Sequence, residues 1–95
     1  MAAYVISEVE IVDPVLVETY RSIAQATIAQ YGGRYIVRGA IAATVEGPPP
    51  AGNVVIVEFP SMQRAREWYN SPEYSEALKL RANALRRRLM FVDGI

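Results

Sequence analysis

The chain contains neither a cysteine nor a histidine among its 95 residues. Without cysteine it can form no disulfide, no thiolate nucleophile and no zinc–thiolate site. Without histidine it lacks the most common general base and the most common ligand of metals and haem. We therefore expect no metal site and no cofactor.

The chain also lacks an excess of either charge and any long apolar run. Ten Lys and Arg residues balance ten Asp and Glu residues, which argues against nucleic acid because its binding relies on a basic surface. No segment approaches the roughly 20 apolar residues that a membrane span needs. The first residues, MAAYVISEVE, have none of the basic and apolar regions of a signal peptide. We expect a cytoplasmic protein that binds neither nucleic acid nor membrane.

Apolar residues, by contrast, are abundant. They make up 52% of the chain, which is high for a globular protein. A length of 95 residues predicts one domain, covering 1–95, with a small core of its own. The surplus therefore predicts an apolar surface that a second copy of the chain covers in a homodimer.

The first third of the chain predicts a strand followed by a helix. Tyr4–Ile11 alternates between an apolar face and an acidic face, which is typical of a half-buried strand. Asp13 and Pro14 form a helix start, and Gly32 with Gly33 forms a helix end. Between them, steps of three and four residues predict one buried stripe: Leu16, Tyr20, Ile23, Thr27 and Tyr31.

The remainder predicts two strands, a broken helix and a last strand. The strands are Arg34–Val45 and Asn53–Phe59, separated by the surface loop Gly47–Gly52, GPPPAG. Ser61 caps a helix that the triplet Asn70-Ser71-Pro72 interrupts. The second part of that helix is expected to run to about Arg87, and Leu89–Val92 to close the chain as a strand.

The predicted order βαββαβ is that of an α+β, ferredoxin-like sandwich with a broken second helix. Its four-stranded antiparallel sheet carries the helices on one face. Nothing in the chain can cover the other face. Two such faces meeting in a homodimer form a dimeric α/β barrel, and we expect a ligand cavity between the two sheets.

Five stretches together resemble a known family: DPVLVETY, YGGRYIVRG, VEG, VVIVEFPS and WYNSPEY. In this order and spacing, from Tyr4 to about Gly94, they resemble the bacterial domain of unknown function 1330. The resemblance implies the dimeric α/β-barrel superfamily, whose members include cofactor-free monooxygenases of aromatic compounds, muconolactone-isomerase-like enzymes and haem-dependent chlorite dismutases. The haem branch needs an axial histidine, which this chain lacks.

Arginines and glutamates in the strands are the first candidates for a site. Arg38 lies inside a predicted strand, where an isolated arginine needs an acidic partner or an anionic ligand. Arg34 precedes it by four residues, so on a regular strand both share a face. Arg38 and Glu58 are candidate catalytic residues, and Arg34 and Glu8 are candidate ligand contacts. The alternative is a set of structural salt bridges, which we favour for the individual residues, and a bulge at Gly39 would change which side chains share a face.

The stretch WYNSPEY holds three aromatic rings: Trp68, Tyr69 and Tyr74. One interpretation is an aromatic wall whose hydroxyls orient a bound ring. The other is a joint between two helices, in which the rings anchor a short helix and the NSP triplet supplies the cap. We favour the joint, with at least one tyrosine at the edge of the pocket.

Basic residues follow at the predicted end of the last helix, where Arg81 and Arg86–Arg88 are expected to act as favourable C-terminal cations rather than as a nucleic-acid patch. The function that the sequence supports is binding of an unknown small molecule. One hypothesis is a metal-free and haem-free enzyme acting on a small aromatic or enolic compound. The alternative is a non-catalytic ligand-binding or stress-related dimer without turnover.

Overall fold

Four strands and three helices follow one another in a computed structural model that describes all residues, 1–95. In chain order they are β1 (Ala3–Ile11), α1 (Pro14–Gln30), β2 (Arg34–Ala40), β3 (Asn53–Phe59), α2 (Met62–Tyr69), α3 (Pro72–Ala84) and β4 (Leu85–Asp93). All neighbouring strands pair antiparallel in the order β2-β3-β1-β4. The predicted ferredoxin-like plan with a broken second helix is confirmed.

Each helix begins at the residue that the sequence predicts. The Asp13 carboxylate accepts hydrogen bonds from the backbone N–H groups of Val15 and Leu16 at 2.9 and 3.1 Å. Ser61 and Ser71 cap α2 and α3 in the same way. A cap of this kind stabilises a helix by about 1 kcal/mol. These caps fix where each helix leaves the sheet, and therefore which side chains it turns toward the core.

The buried stripe of α1 is rotated from the predicted one. The side chains that are buried are Val17, Tyr20, Ala24, Thr27 and Ile28. Leu16, Ile23 and Tyr31 only flank the core and stay partly exposed. The rotation turns a small residue, Ala24, toward the sheet in the middle of the helix. A small residue there leaves space between α1 and the sheet.

Two predicted boundaries are wrong. α3 ends at Ala84, so Arg86–Arg88 belong to β4 and are not cations at a helix C-terminus. The strand begins early because β4 pairs with β1 along its whole length, which sets Arg88 opposite Glu8 and Arg86 opposite Glu10. Opposite charges on facing strands stabilise the pairing.

The other wrong boundary is the end of β2, which stops at Ala40 rather than Val45. Gly39 has a φ of +80°, a left-handed conformation that glycine adopts without steric cost. The register between β2 and β3 shifts there, between Arg38 and Ala40. The strand leaves the sheet after this bulge.

The three helices cover one face of the sheet and leave the other bare. The core lies on the covered face, where Val5, Val57 and Phe59 pack against side chains of all three helices. The bare face, which we call the open face, carries the alternate residues of each strand, including Ile6, Ile56 and Met90. None of the helices has the length and apolar character needed to cross a bilayer.

Candidate functional site

A cavity of about 390 Å³ lies between α1 and the covered face of the sheet. Its walls are mainly apolar and come from alternate residues of the strands and from α1, among them Val9, Val55, Leu89 and Ala24. The cavity is therefore inside a single subunit. The expected cavity between two sheets would lie on the opposite face of the sheet, the one that no helix covers.

Tyr20 and Arg87 line the cavity and form a polar cluster with Tyr74, which does not line the cavity itself. The two phenol hydroxyls are 2.5 Å apart. Arg87 donates to the Tyr20 hydroxyl at 2.6 Å and to the Tyr74 hydroxyl at 3.0 Å. We call these three residues the Tyr–Tyr–Arg cluster. Three different elements, α1, α3 and β4, supply its members, so the fold itself holds the geometry.

The cluster is held by its surroundings rather than by flexible side chains alone. Tyr74 is fully buried, and the Ser71 hydroxyl accepts a hydrogen bond from its backbone N–H at 3.0 Å. Tyr20 is buried on the stripe of α1 that faces the sheet. Arg87 lies opposite Val9 and on the covered face of β4. Such rotamers, locked by packing, keep the cluster preorganised.

Electrostatics in the cluster favour a protonated Tyr74 hydroxyl beside the Arg87 guanidinium. Burial raises the pKa of the Tyr74 hydroxyl, and the neighbouring Tyr20 hydroxyl adds to the rise. None of the five salt bridges in the chain involves Arg87. The guanidinium therefore has phenol partners and no carboxylate partner within the chain.

We predict that Tyr74→Phe reduces the loss of stability at alkaline pH. A tyrosine whose folded pKa lies above its unfolded value of about 10 stabilises the fold below that pH. The stabilisation is lost as the pH rises further, because the unfolded chain releases the proton more readily. Urea unfolding at pH 8 and pH 11 should show a smaller drop for the variant than for the wild type. Equal drops would contradict the raised pKa of Tyr74.

Arg38 and Tyr35 lie at the cavity mouth on β2. The Arg38 guanidinium stacks over the Tyr35 ring, 4.3 Å from its centroid, and both residues line the cavity. Burial raises the pKa of Tyr35. At the same rim Arg21 forms an exposed salt bridge with Glu18 at 3.0 Å. Arg38 therefore lines the cavity without an acidic partner, and its guanidinium stacks on the Tyr35 ring.

Arg34 and Arg38 do not share a face of the sheet, contrary to the prediction. The register shifts between Tyr35 and Val37, so Ile36 forms a bulge ahead of the one at Gly39. Arg34 pairs with Glu58 on the open face, whereas Arg38 pairs with Val55 on the covered face. A bulge inserts one residue and reverses the alternation of the side chains that follow.

The two predicted acidic residues lie on the open face, away from this cavity. Glu58 accepts hydrogen bonds from Arg34 at 2.8 Å and from the Tyr4 hydroxyl at 3.2 Å. The Arg34 interaction lowers the pKa of Glu58, which makes it a weaker base. Glu8 is paired with Arg88 at 2.8 Å. Arg38 and Glu58 therefore cannot act on one molecule within a single subunit.

The aromatic stretch forms the joint between α2 and α3 and one wall of the cavity. Trp68 is buried, lines the cavity, and donates from Nε1 to the Thr27 hydroxyl at 3.1 Å. Tyr69 packs edge-on against Phe91 and does not line the cavity. Tyr74 does not line the cavity but contacts three residues that do, Tyr20, Arg87 and Trp68. Of the three aromatic residues predicted as ligand contacts, only Trp68 lines the cavity, and its contact with a ligand stays a prediction. Tyr20 and Arg87 were not among the predicted site residues.

A signal for Arg87 was present in the sequence. In LRRRLMF, residues 85–91, the alternate positions are Leu85, Arg87, Leu89 and Phe91. Read with a strand period of two, this is an apolar face with one arginine in it. The helix assigned to this stretch concealed that pattern. No group of three or more His, Cys, Asp or Glu side chains is placed to hold a metal ion.

Comparison with known proteins gives a family but no activity. A family model described as a domain of unknown function, DUF1330, matches residues 2–95. No protein of curated function matches the sequence.

Solved structures share the fold at low sequence identity. A protein of unknown function from Rhodopseudomonas palustris is 21% identical with a TM-score of 0.79, over 99% of this chain and 82% of that one. SnoaB, a cofactor-independent oxygenase from Streptomyces nogalater, is 12% identical with a TM-score of 0.70, over 99% and 93% of the two chains. A dimeric protein of unknown function with a ferredoxin-like fold, from Bacteroides fragilis, is 15% identical with a TM-score of 0.65, over 98% and 96%. At these identities the likeness shows the fold alone.

Proposed function

The chain belongs to the DUF1330 family of domains of unknown function, and from that premise we propose that it is a homodimeric protein that binds a small aromatic or enolic compound in the cavity between α1 and the sheet. One observation carries the proposal: the cavity has mainly apolar walls and a preorganised polar cluster that includes the lining residues Tyr20 and Arg87. A volume of about 390 Å³ lies within the range of small-molecule sites, about 300–1,000 Å³.

The walls and the polar cluster suit different parts of such a compound. Trp68 and the strand side chains present apolar and aromatic surface to a ring. The Tyr–Tyr–Arg cluster offers hydrogen bonds to an oxygen substituent. Arg38 lies at the mouth, where it can orient a second polar group.

The open face supports the homodimer. Its centre is apolar, with Ile6, Ile56 and Val37 paired side by side across three strands. Its margins carry ion pairs, Arg34 with Glu58 and Arg88 with Glu8. An apolar centre with a charged rim is the usual composition of a protein interface. The Bacteroides fragilis protein of the same fold is described as dimeric.

A more specific form of the proposal is that the protein is an enzyme. SnoaB, a structural relative, is a cofactor-independent oxygenase, and the cavity here offers groups that can hold an enol or phenol oxygen while it gains or loses a proton. Arg87 stabilises negative charge on such an oxygen. Binding without turnover is the alternative, and the same cavity serves both.

Three measurements test the proposal in order. Native mass spectrometry of the purified protein should show a dimer, and an added small mass would supply a ligand to identify. Titration with 1-naphthol should show saturable binding, one molecule per subunit. Oxygen uptake with 1,4-dihydroxynaphthalene above that of heat-unfolded protein supports an enzyme, and binding without uptake supports the alternative. A protein that binds no 1-naphthol and carries no added mass would contradict the cavity as a binding site.

Filling the cavity should weaken the binding of 1-naphthol without unfolding the chain. Ala24 is buried on α1 and lines the cavity, so Ala24→Phe places a ring in the empty volume. We expect 1-naphthol affinity to fall at least about tenfold, since the ring occupies the ligand's space. Ala26→Phe is the matched control because Ala26 is exposed on the same helix. Equal affinities in both variants, measured by calorimetry, would place the ligand elsewhere.

A further inference from the structure

The charges around the cavity do not balance. The charged side chains that line it are three arginines, Arg21, Arg38 and Arg87, and one glutamate, Glu18. Glu18 is engaged by Arg21. Arg38 and Arg87 have no carboxylate partner in the chain. A ligand that enters this cavity therefore meets two uncompensated positive charges.

We propose that the natural ligand is a small aromatic carboxylate whose carboxylate group binds to Arg87, with the ring against Trp68 and the strand side chains. This inference rests on the proposed function, that the cavity binds a small molecule, and it names the chemical class of that molecule.

Arg87 is the more informative of the two cations because its side chain is partly buried, whereas Arg38 is exposed. The neighbours of Arg87 are phenol hydroxyls, which accept its hydrogen bonds without neutralising its charge. Leaving a charge in an apolar interior without a counter-charge costs free energy. A bound anion removes that cost, so the site favours the binding of a negatively charged group.

The donors of Arg87 match a carboxylate. A guanidinium has five N–H groups in one plane, and two of its nitrogens here each contact one phenol. The remaining N–H groups can form a planar fork, which fits the two oxygens of a carboxylate. The Tyr20 and Tyr74 hydroxyls, 2.5 Å apart, hold the guanidinium in position for it.

The same features disfavour a phosphate. A phosphate dianion presents three oxygens and two charges, and the Tyr–Tyr–Arg cluster supplies a single cation. Arg38, the second cation, is exposed. The rest of the lining is mainly apolar, which suits a ring, and its other polar side chains are neutral apart from the Arg21–Glu18 pair. The cavity therefore fits an aromatic ring that carries a single negative charge at one end.

A pair of probes of the same shape tests the charge alone. Calorimetric titration of the wild type at pH 7 compares 1-naphthoate with its neutral analogue 1-naphthamide. We expect naphthoate to bind at least about tenfold more tightly, as a charge-assisted contact does. Equal affinities would overturn the inference and leave the proposed function standing. Binding of neither probe would overturn both, and tighter binding of 1-naphthyl phosphate than of naphthoate would replace the carboxylate with a phosphate.

The assignment to Arg87 is tested by Arg87→Met. We expect the preference for naphthoate over naphthamide to disappear, because naphthoate should lose at least about tenfold more affinity than naphthamide does. Arg86→Met is the matched control, because Arg86 is adjacent on β4 and its side chain lies on the open face opposite Glu10. A preference that survives in Arg87→Met would overturn the assignment. If Arg87→Met does not fold, Arg87→Lys keeps a charge without the fork and should bind naphthoate with intermediate affinity.

Discussion

Replacing Trp68 with alanine should lower the free energy of unfolding by about 3–5 kcal/mol, the usual cost of removing a large buried aromatic side chain. Trp68 is 2% exposed and contacts the rings of Phe59 and Tyr74 at centroid distances of 5.3 and 4.2 Å. The substitution also removes the Nε1 donor to Thr27. A loss of this size is a large part of the total stability of a small domain, about 5–15 kcal/mol.

Urea unfolding followed by circular dichroism measures the change, since the variant contains no tryptophan for fluorescence. Trp68→Phe keeps an aromatic ring and loses only the hydrogen bond and part of the volume, so it should lose clearly less stability. Val15→Ala is the control on an exposed helix position and should change little. A loss below about 1 kcal/mol for Trp68→Ala would mean that the joint between α2 and α3 does not anchor the core.

Placing a charge at the centre of the open face should separate the proposed homodimer. Ile56 pairs with Ile6 on one side and Val37 on the other. In the dimer, Ile56→Asp would bury a carboxylate without a partner, which costs several kcal/mol. Since about 1.4 kcal/mol is a factor of ten, we expect the dimer dissociation constant to rise at least about 100-fold.

Sedimentation velocity across a range of concentrations measures that constant. Val15→Asp makes the same kind of change at a site on α1 that is 78% exposed, and it should remain dimeric. Circular dichroism establishes that both variants are folded. A folded Ile56→Asp dimer with unchanged affinity would show that the second copy does not cover the open face.

Local signals in the sequence predicted the order of the elements well. Asp13, Ser61 and Ser71 start the helices at the expected positions because each supplies a side-chain oxygen to free backbone N–H groups. The β-branched run of β3 predicted a central strand, and β3 lies between β2 and β1. Signals of this kind depend on a few neighbouring residues, so they can be recognised in the sequence before the fold is known.

The site was harder to predict because it depends on side-chain direction. Arg38 lines a cavity on the covered face rather than between two sheets, and Glu58, the other candidate catalytic residue, lies on the opposite face. Arg87 was assigned to a helix end, where a cation is favourable, whereas pairing with β1 holds it in a strand. Only the tertiary arrangement brings Arg87 to Tyr20, since 67 residues separate them along the chain.

The bulge at Ile36 also bears on how this chain compares with its relatives over evolutionary time. The extra residue sets which side chains downstream in β2 point inward and which point outward. A homologue that lost the extra residue would have a regular strand here, with its arginine two positions after the tyrosine and both side chains on the covered face. A homologue that kept the residue but lost the bulge would instead turn its arginine to the open face, without any change of residue type. A one-residue gap in this short segment is therefore compatible with an unchanged cavity, whereas an arginine aligned without a gap can lie on either face.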